Sequence, residues 1–134
     1  MKRIFVAAAV VFALCTSIAV GAADVYEVAI ADDGVQRVDI LAGSYFFKPD
    51  HIVVKVNVPV ELIVKKEAGV TPHNIVIKAP EAGINFRESL GEEPKVIKFT
   101  PTKAGKYPFY CDKKLLFFAG HREKGMEGTL EVIE

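Results

Sequence analysis

Beyond residue 24, apolar and polar positions alternate in short runs separated by Gly, Pro, Asp and Asn. A period of two over a handful of residues marks a half-buried β-strand, and regular turn signals between such runs mark an all-β sandwich or barrel. Residues 25–30 form the first run, closed by Ala31-Asp32-Asp33-Gly34, and residues 35–40 alternate up to the break at Gly43. Residues 52–58 set Val54, Val56 and Val58 on one face against Lys55 and Asn57 on the other, and Pro59 interrupts before residues 60–65. Residues 75–77, 96–100, 107–111 and 128–133 continue the pattern, with Pro101 and Gly105 as punctuation. Between Ala79 and Pro94 the alternation disappears, and Pro80, Gly83 and Gly91 predict a long connection or a short irregular helix. No repeat or interdomain linker is visible. Seven or eight strands in one domain predict a two-sheet Greek-key β-sandwich.

The first 23 residues have a different pattern. Lys2 and Arg3 precede an apolar stretch over residues 4–20, followed by Gly21-Ala22-Ala23 and then the first acidic residue, Asp24. A basic start, an apolar centre and small residues at the end predict a secretory signal over residues 1–23, in preference to a retained membrane anchor. The mature domain is then residues 24–134, periplasmic or secreted. Lipidation at Cys15 is disfavoured by the bulky Leu14 before it.

The chain of 134 residues carries 17 basic and 17 acidic residues, and no run of Lys or Arg exceeds a pair. Such a balance provides no footprint for nucleic-acid phosphates. Phosphate-loop, nucleophile-elbow and His-Glu-x-x-His signatures are absent as well. Removing residues 1–23 leaves a net charge of −2 and one cysteine, Cys111. An exported lone thiol is buried and inert, paired with another chain, or held as a metal thiolate.

Its neighbours favour the metal. The domain has three His (51, 73, 121), Cys111 and one Met, Met126. Cys111, His121 and Met126 lie close together near the C-terminus, between two predicted strands, while His73 opens an earlier one. A sandwich gathers such strand ends at one pole. Each residue alone has an ordinary reading: a buried cysteine, a core methionine, a turn or surface histidine. Two imidazoles, a thiolate and a thioether are together the donor set of a His2Cys copper site with a weak axial Met. Zinc competes on ligand type but rarely takes a thioether. His51, which follows Pro49-Asp50 and has no partner pattern, is read as a surface residue. Lys65-Lys66-Glu67, Glu92-Glu93 and Lys113-Lys114 read as solvated loop charges.

His73-Asn74, Tyr107-x-x-Tyr110-Cys111 and Gly120-His121-x-x-x-Gly125-Met126-x-Gly128 resemble the cupredoxin family of small exported blue-copper proteins. Phe46-x-x-Pro49-x-x-Ile52-x-Val54 is similar to the segment before the first ligand in that family, so the resemblance extends over roughly residues 24–134. It implies one copper per chain, cycling between Cu(I) and Cu(II), held by His73, Cys111 and His121 with Met126 axial. It also implies that Asn74 fixes the loop and donates toward the Cys111 sulfur, and that Tyr107 supports a corner through backbone hydrogen bonding. The chain departs from the family in its nine residues between Cys111 and His121, which include Leu115, Leu116, Phe117 and Phe118. They are expected to form a docking patch or partial lid. The expected function is a monomeric one-electron carrier between redox proteins, not an enzyme, with no nucleic-acid partner and no stable membrane insertion of the mature chain. Copper storage or delivery, an enzyme domain needing a partner, and a metal-free structural sandwich are the rivals.

Overall fold

The computed structural model describes residues 24–134, and the predicted signal segment lies outside the described residues. The strands are β1 (Val25–Glu27), β2 (Gln36–Gly43), β3 (Phe46–Lys48), β4 (His51–Lys55), β5 (Val60–Lys66), β6 (Asn74–Ala79), β7 (Ile84–Ser89), β8 (Lys95–Phe99), β9 (Gly105–Tyr110) and β10 (Glu127–Ile133). They form a six-stranded sheet in the order β1-β4-β10-β9-β6-β7 and a four-stranded sheet in the order β3-β2-β5-β8. The expected β-sandwich is therefore what the chain adopts. Both sheets are mixed, with β2 parallel to β5 and β4 parallel to β1 and β10. Parallel neighbours cannot be joined by a hairpin, so the chain leaves the β2 sheet to build β4 before returning as β5.

Alternation along each strand builds the core. Val38, Ile40 and Ala42 of β2 and Val60, Leu62 and Val64 of β5 are buried from one sheet, while Ile75, Ile77, Phe109, Leu130 and Val132 are buried from the other. Phe47 and Phe109 join the sheets edge to face, with ring centroids 5.3 Å apart. Tyr107 supports the corner expected of it: its hydroxyl donates to the Lys103 carbonyl at 2.7 Å.

One buried polar side chain replaces missing ladder bonds. Gln36, at the first position of β2, is fully buried. Its Nε2 donates to the carbonyls of Lys55 (3.2 Å) and Val58 (3.3 Å), and its Oε1 accepts the Lys55 amide at 2.7 Å. These are backbone groups released where β4 ends and the chain turns into β5. Gln36→Leu is expected to lower stability by about 2 kcal/mol, because it leaves buried backbone groups unpaired. In urea unfolding the midpoint should fall while the slope stays the same.

The structure corrects the reading of residues 79–94. The connection is a short 3-10 turn, Pro80–Ala82, closed by Gly83 at φ +72°, and the rest is strand β7 and a brief loop. An edge strand paired only with β6, β7 turns Ile84 and Phe86 inward and Asn85, Arg87 and Ser89 outward, but Glu88 takes the third inward position, so the apolar alternation is too short to stand out. Strand β4 stops at Lys55, short of Val58, because Asn57 adopts a left-handed conformation at φ +60° and its amide donates to the Pro101 carbonyl. His51, read as an unpartnered surface residue, is only partly exposed and meets Glu131 of β10 at 2.8 Å.

Candidate metal centre

The sheet register brings the predicted residues to one pole. His73 immediately precedes β6, Cys111 immediately follows β9, and Met126 immediately precedes β10. Strand β9 is antiparallel to both β6 and β10, so the end of β9 lies beside the starts of its two neighbours. Backbone and sulfur contacts follow from this placement. The Asn74 amide donates toward Cys111 Sγ at 3.4 Å, and the Cys111 amide donates to the Met126 carbonyl at 3.2 Å.

His121 reaches the same point from the loop between β9 and β10. Its amide donates to the Lys113 carbonyl, and its carbonyl accepts the Met126 amide at 3.0 Å. The turn from His121 to Met126 depends on Gly125 at φ +100°, a conformation that side-chain-bearing residues rarely adopt. One potential ligand atom from each of His73, Cys111 and His121 lies within 4.8 Å of the others. Cys111 Sγ and His121 Nδ1 are 3.5 Å apart. All three residues are buried, and Met126 is fully buried at the end of the same turn.

The site's electrostatics favour the neutral form of both imidazoles. Burial holds His73 below the ordinary imidazole pKa, with the nearby His121 and Lys66 adding to the effect. Burial does the same for His121, helped by Lys124. A neutral imidazole has a free nitrogen lone pair, which is the form a metal requires. Nδ1 of His73 is buried and has no hydrogen-bond partner. Such orphaned atoms are uncommon and cost about 1–3 kcal/mol each, so an occupant that accepts the lone pair would remove a penalty.

A second layer holds the loop in place. Asn74 Nδ2 donates to Asp112 Oδ1 at 2.6 Å, and Asn74 Oδ1 accepts the Asp112 amide at 2.9 Å. Burial alone would raise the Asp112 pKa, but hydrogen bonds from Asn74 and Arg87 outweigh it and hold the carboxyl below its ordinary value. Tyr45 packs edge-on against His121 with centroids 5.2 Å apart, and the Lys124 ammonium sits 4.5 Å from the Tyr45 ring centroid. Tyr45 stands at φ +69° in the tight β2–β3 turn. Neither Tyr45 nor the Asp112–Arg87 pair was singled out in the sequence, where nothing in their spacing links them to the four scarce residues. The loop residues Leu115, Leu116, Phe117 and Phe118 are exposed, so they form a patch and not a lid.

The chain belongs to the cupredoxin-like family: the family model for the cupredoxin-like domain matches residues 4–130. Among solved structures, the metal binding domain of the Cu(I) exporting P-type ATPase CopA from Streptococcus pneumoniae D39, determined with Cu(I), is similar. It is 23% identical with a TM-score of 0.66, and the match covers 85% of this chain and 100% of that one. A copper binding protein solved in the apo form by NMR is 22% identical with a TM-score of 0.62, over 84% of this chain and 100% of its own. Reduced auracyanin from Roseiflexus castenholzii is 20% identical with a TM-score of 0.58, over 73% of this chain and 97% of its own. At these identities the likeness is one of fold. No curated protein matches the sequence.

Proposed function

We propose that the protein binds one copper ion at His73, Cys111, His121 and Met126 and serves as a one-electron carrier between redox proteins. The observation that carries this reading is the buried meeting of one thiol and two imidazoles, one of them with an unpartnered nitrogen. The donor chemistry fits copper: thiolate and thioether are soft, imidazole suits either valence, and no carboxylate belongs to the cluster. Copper, when bound, supplies a one-electron couple.

The chain's own residues do the rest. Asn74 directs an amide at the Cys111 sulfur, withdrawing charge from the thiolate, and its side chain ties β6 to the residue after Cys111. The register of β6, β9 and β10 holds the donors from three strand ends at once, which limits their rearrangement. His121 sits on the loop that reaches the surface, so its ring edge is the natural point of approach for a partner. Such partners meet transiently through small interfaces. Nothing here needs a substrate bond to be made or broken, and we place the protein outside the cytoplasm on the strength of the signal-like residues 1–23.

The copper-loaded protein is expected to show intense thiolate-to-copper absorption in the visible and a reversible one-electron wave in voltammetry. Metal delivery is the second reading, supported by the exposed nine-residue loop and by the Cu(I)-bound domain of an exporter among the structural neighbours. Tight copper binding with no reversible wave, together with metal passing to an apo acceptor, would overturn the carrier reading in favour of delivery.

A further inference from the structure

The loop above the cluster has a surface that the metal chemistry does not use. Leu115, Leu116, Phe117 and Phe118 are 65%, 76%, 101% and 64% exposed, so among the described residues nothing covers Phe117. The Phe118 amide donates to the Leu115 carbonyl, closing a turn with Leu116 at φ +47°. The loop thus presents its apolar side chains outward on a hydrogen-bonded turn, where a collapse onto the protein would have hidden them. Four consecutive large apolar residues held in water are unfavourable unless something covers them.

The charges around the loop indicate what that is. Lys113, Lys114 and Lys124 border the same depression as Leu115, Phe118 and His121. Among the described residues, none of these lysines forms an ion pair with a carboxylate. No carboxylate lines that depression, and the nearby Asp112 and Glu127 are already engaged by Arg87 and Arg122. A protein partner favours a packed face that offers shape complementarity. A bilayer interface asks for no such fit: it takes isolated apolar side chains to shallow depth and draws lysines to its anionic headgroups.

We infer that this pole of the protein docks reversibly on an anionic lipid surface, with Leu116 and Phe117 entering the headgroup region and the lysines resting on lipid phosphates. The contact is peripheral; among the described residues no helix is long and apolar enough to cross a membrane. It would hold the His121 edge at the membrane plane. The inference does not rest on the copper reading, and it is tested on apo and copper-loaded protein alike.

The chain contains no tryptophan, so Phe117→Trp in the full chain places a single indole at the loop tip. With phosphatidylglycerol–phosphatidylethanolamine vesicles its emission should shift to the blue and be quenched by lipids brominated in their acyl chains. Phosphatidylcholine vesicles should give a much weaker response. Adding Lys113→Gln and Lys114→Gln should weaken vesicle binding roughly fivefold per lysine, and Leu116→Ser should weaken it further. Attachment through another part of the chain leaves the indole in water and does not mimic the result. An indole that stays in water beside anionic vesicles, while circular dichroism shows an intact β fold, overturns the inference. So does an equal response to phosphatidylcholine, or a response only to a redox protein, which would mark the loop as a protein-docking face.

Discussion

Replacing Cys111 by serine is expected to abolish the visible absorption of the copper-loaded protein and to weaken copper binding by at least about a hundredfold. The bound comes from outer partners: removing a group that merely orients a ligand already costs about 10- to 100-fold in metal affinity, and a direct ligand contributes more. A serine hydroxyl does not ionise near neutrality and offers a hard oxygen where Cu(I) prefers sulfur. The charge-transfer band originates on the thiolate and has no source without it. The fold, by contrast, should tolerate the change. Serine is nearly the same shape, and its buried oxygen can take the Asn74 amide that now faces Cys111 Sγ and can donate to His121 Nδ1. Melting of the metal-free variant should stay within about 1 kcal/mol of the parent, so chelator competition and the optical spectrum report on the site alone. A variant that keeps its colour and its affinity would show that Cys111 is no ligand.

The sandwich was legible wherever burial was one-sided. Strands β2, β5 and β10 bury alternate residues, and their period of two stands out in the sequence. Edge strand β7 was missed because Glu88 lies at an inward-leaning position where an apolar residue would be expected. Strand β3 was missed because its three residues are too few to carry a period. Gln36 falls on the buried face of β2 among Val38 and Ile40, and only the geometry of the β4–β5 turn shows why a polar group is needed there.

The scarce residues of the site were legible for a different reason. Cys, Met and His are few enough that their placement at or between strand ends carries information: the antiparallel register sets His73, Cys111 and Met126 at one pole, and the β9–β10 loop brings His121 to the first two. The layer behind them consists of common residue types. Asp112 acts through Asn74 and Arg87, and Tyr45 acts through a turn on the opposite sheet, contacts that exist only once the chain has closed. The direction of the apolar loop was open in the sequence for the same reason. Four apolar residues serve equally well as a lid or a patch, and the turn between Leu115 and Phe118 decides for the patch.

The largest loss of stability is expected from a residue whose side chain is a hydrogen atom. Gly128 lies directly opposite Phe109 in the β9–β10 register, and the Phe109 ring lies across it. A Cβ at 128 would stand 2.2 Å from Phe109 Cζ and 2.6 Å from the Asp50 carbonyl oxygen, well inside contact distance. The ring is fully buried and packed against Phe47, so it has little room to turn away, and the carbonyl accepts the Thr129 amide that helps seat β10. Gly128→Ala should therefore cost about 3 kcal/mol or more, at the upper end of overpacking penalties. Phe109→Leu in the same chain should recover part of that loss by vacating the ring's volume, while the Asp50 carbonyl keeps the recovery incomplete. Urea unfolding of the two single variants and the double variant forms a cycle whose coupling should exceed about 1 kcal/mol, as expected for groups in direct contact. Additive losses would mean that Phe109 does not crowd position 128. Met126 lies two residues upstream on the same strand entrance, so Gly128→Ala should also loosen the metal site. Addition of copper should then raise the variant's melting temperature less than the parent's, since a ligand stabilises only by its affinity for the folded form.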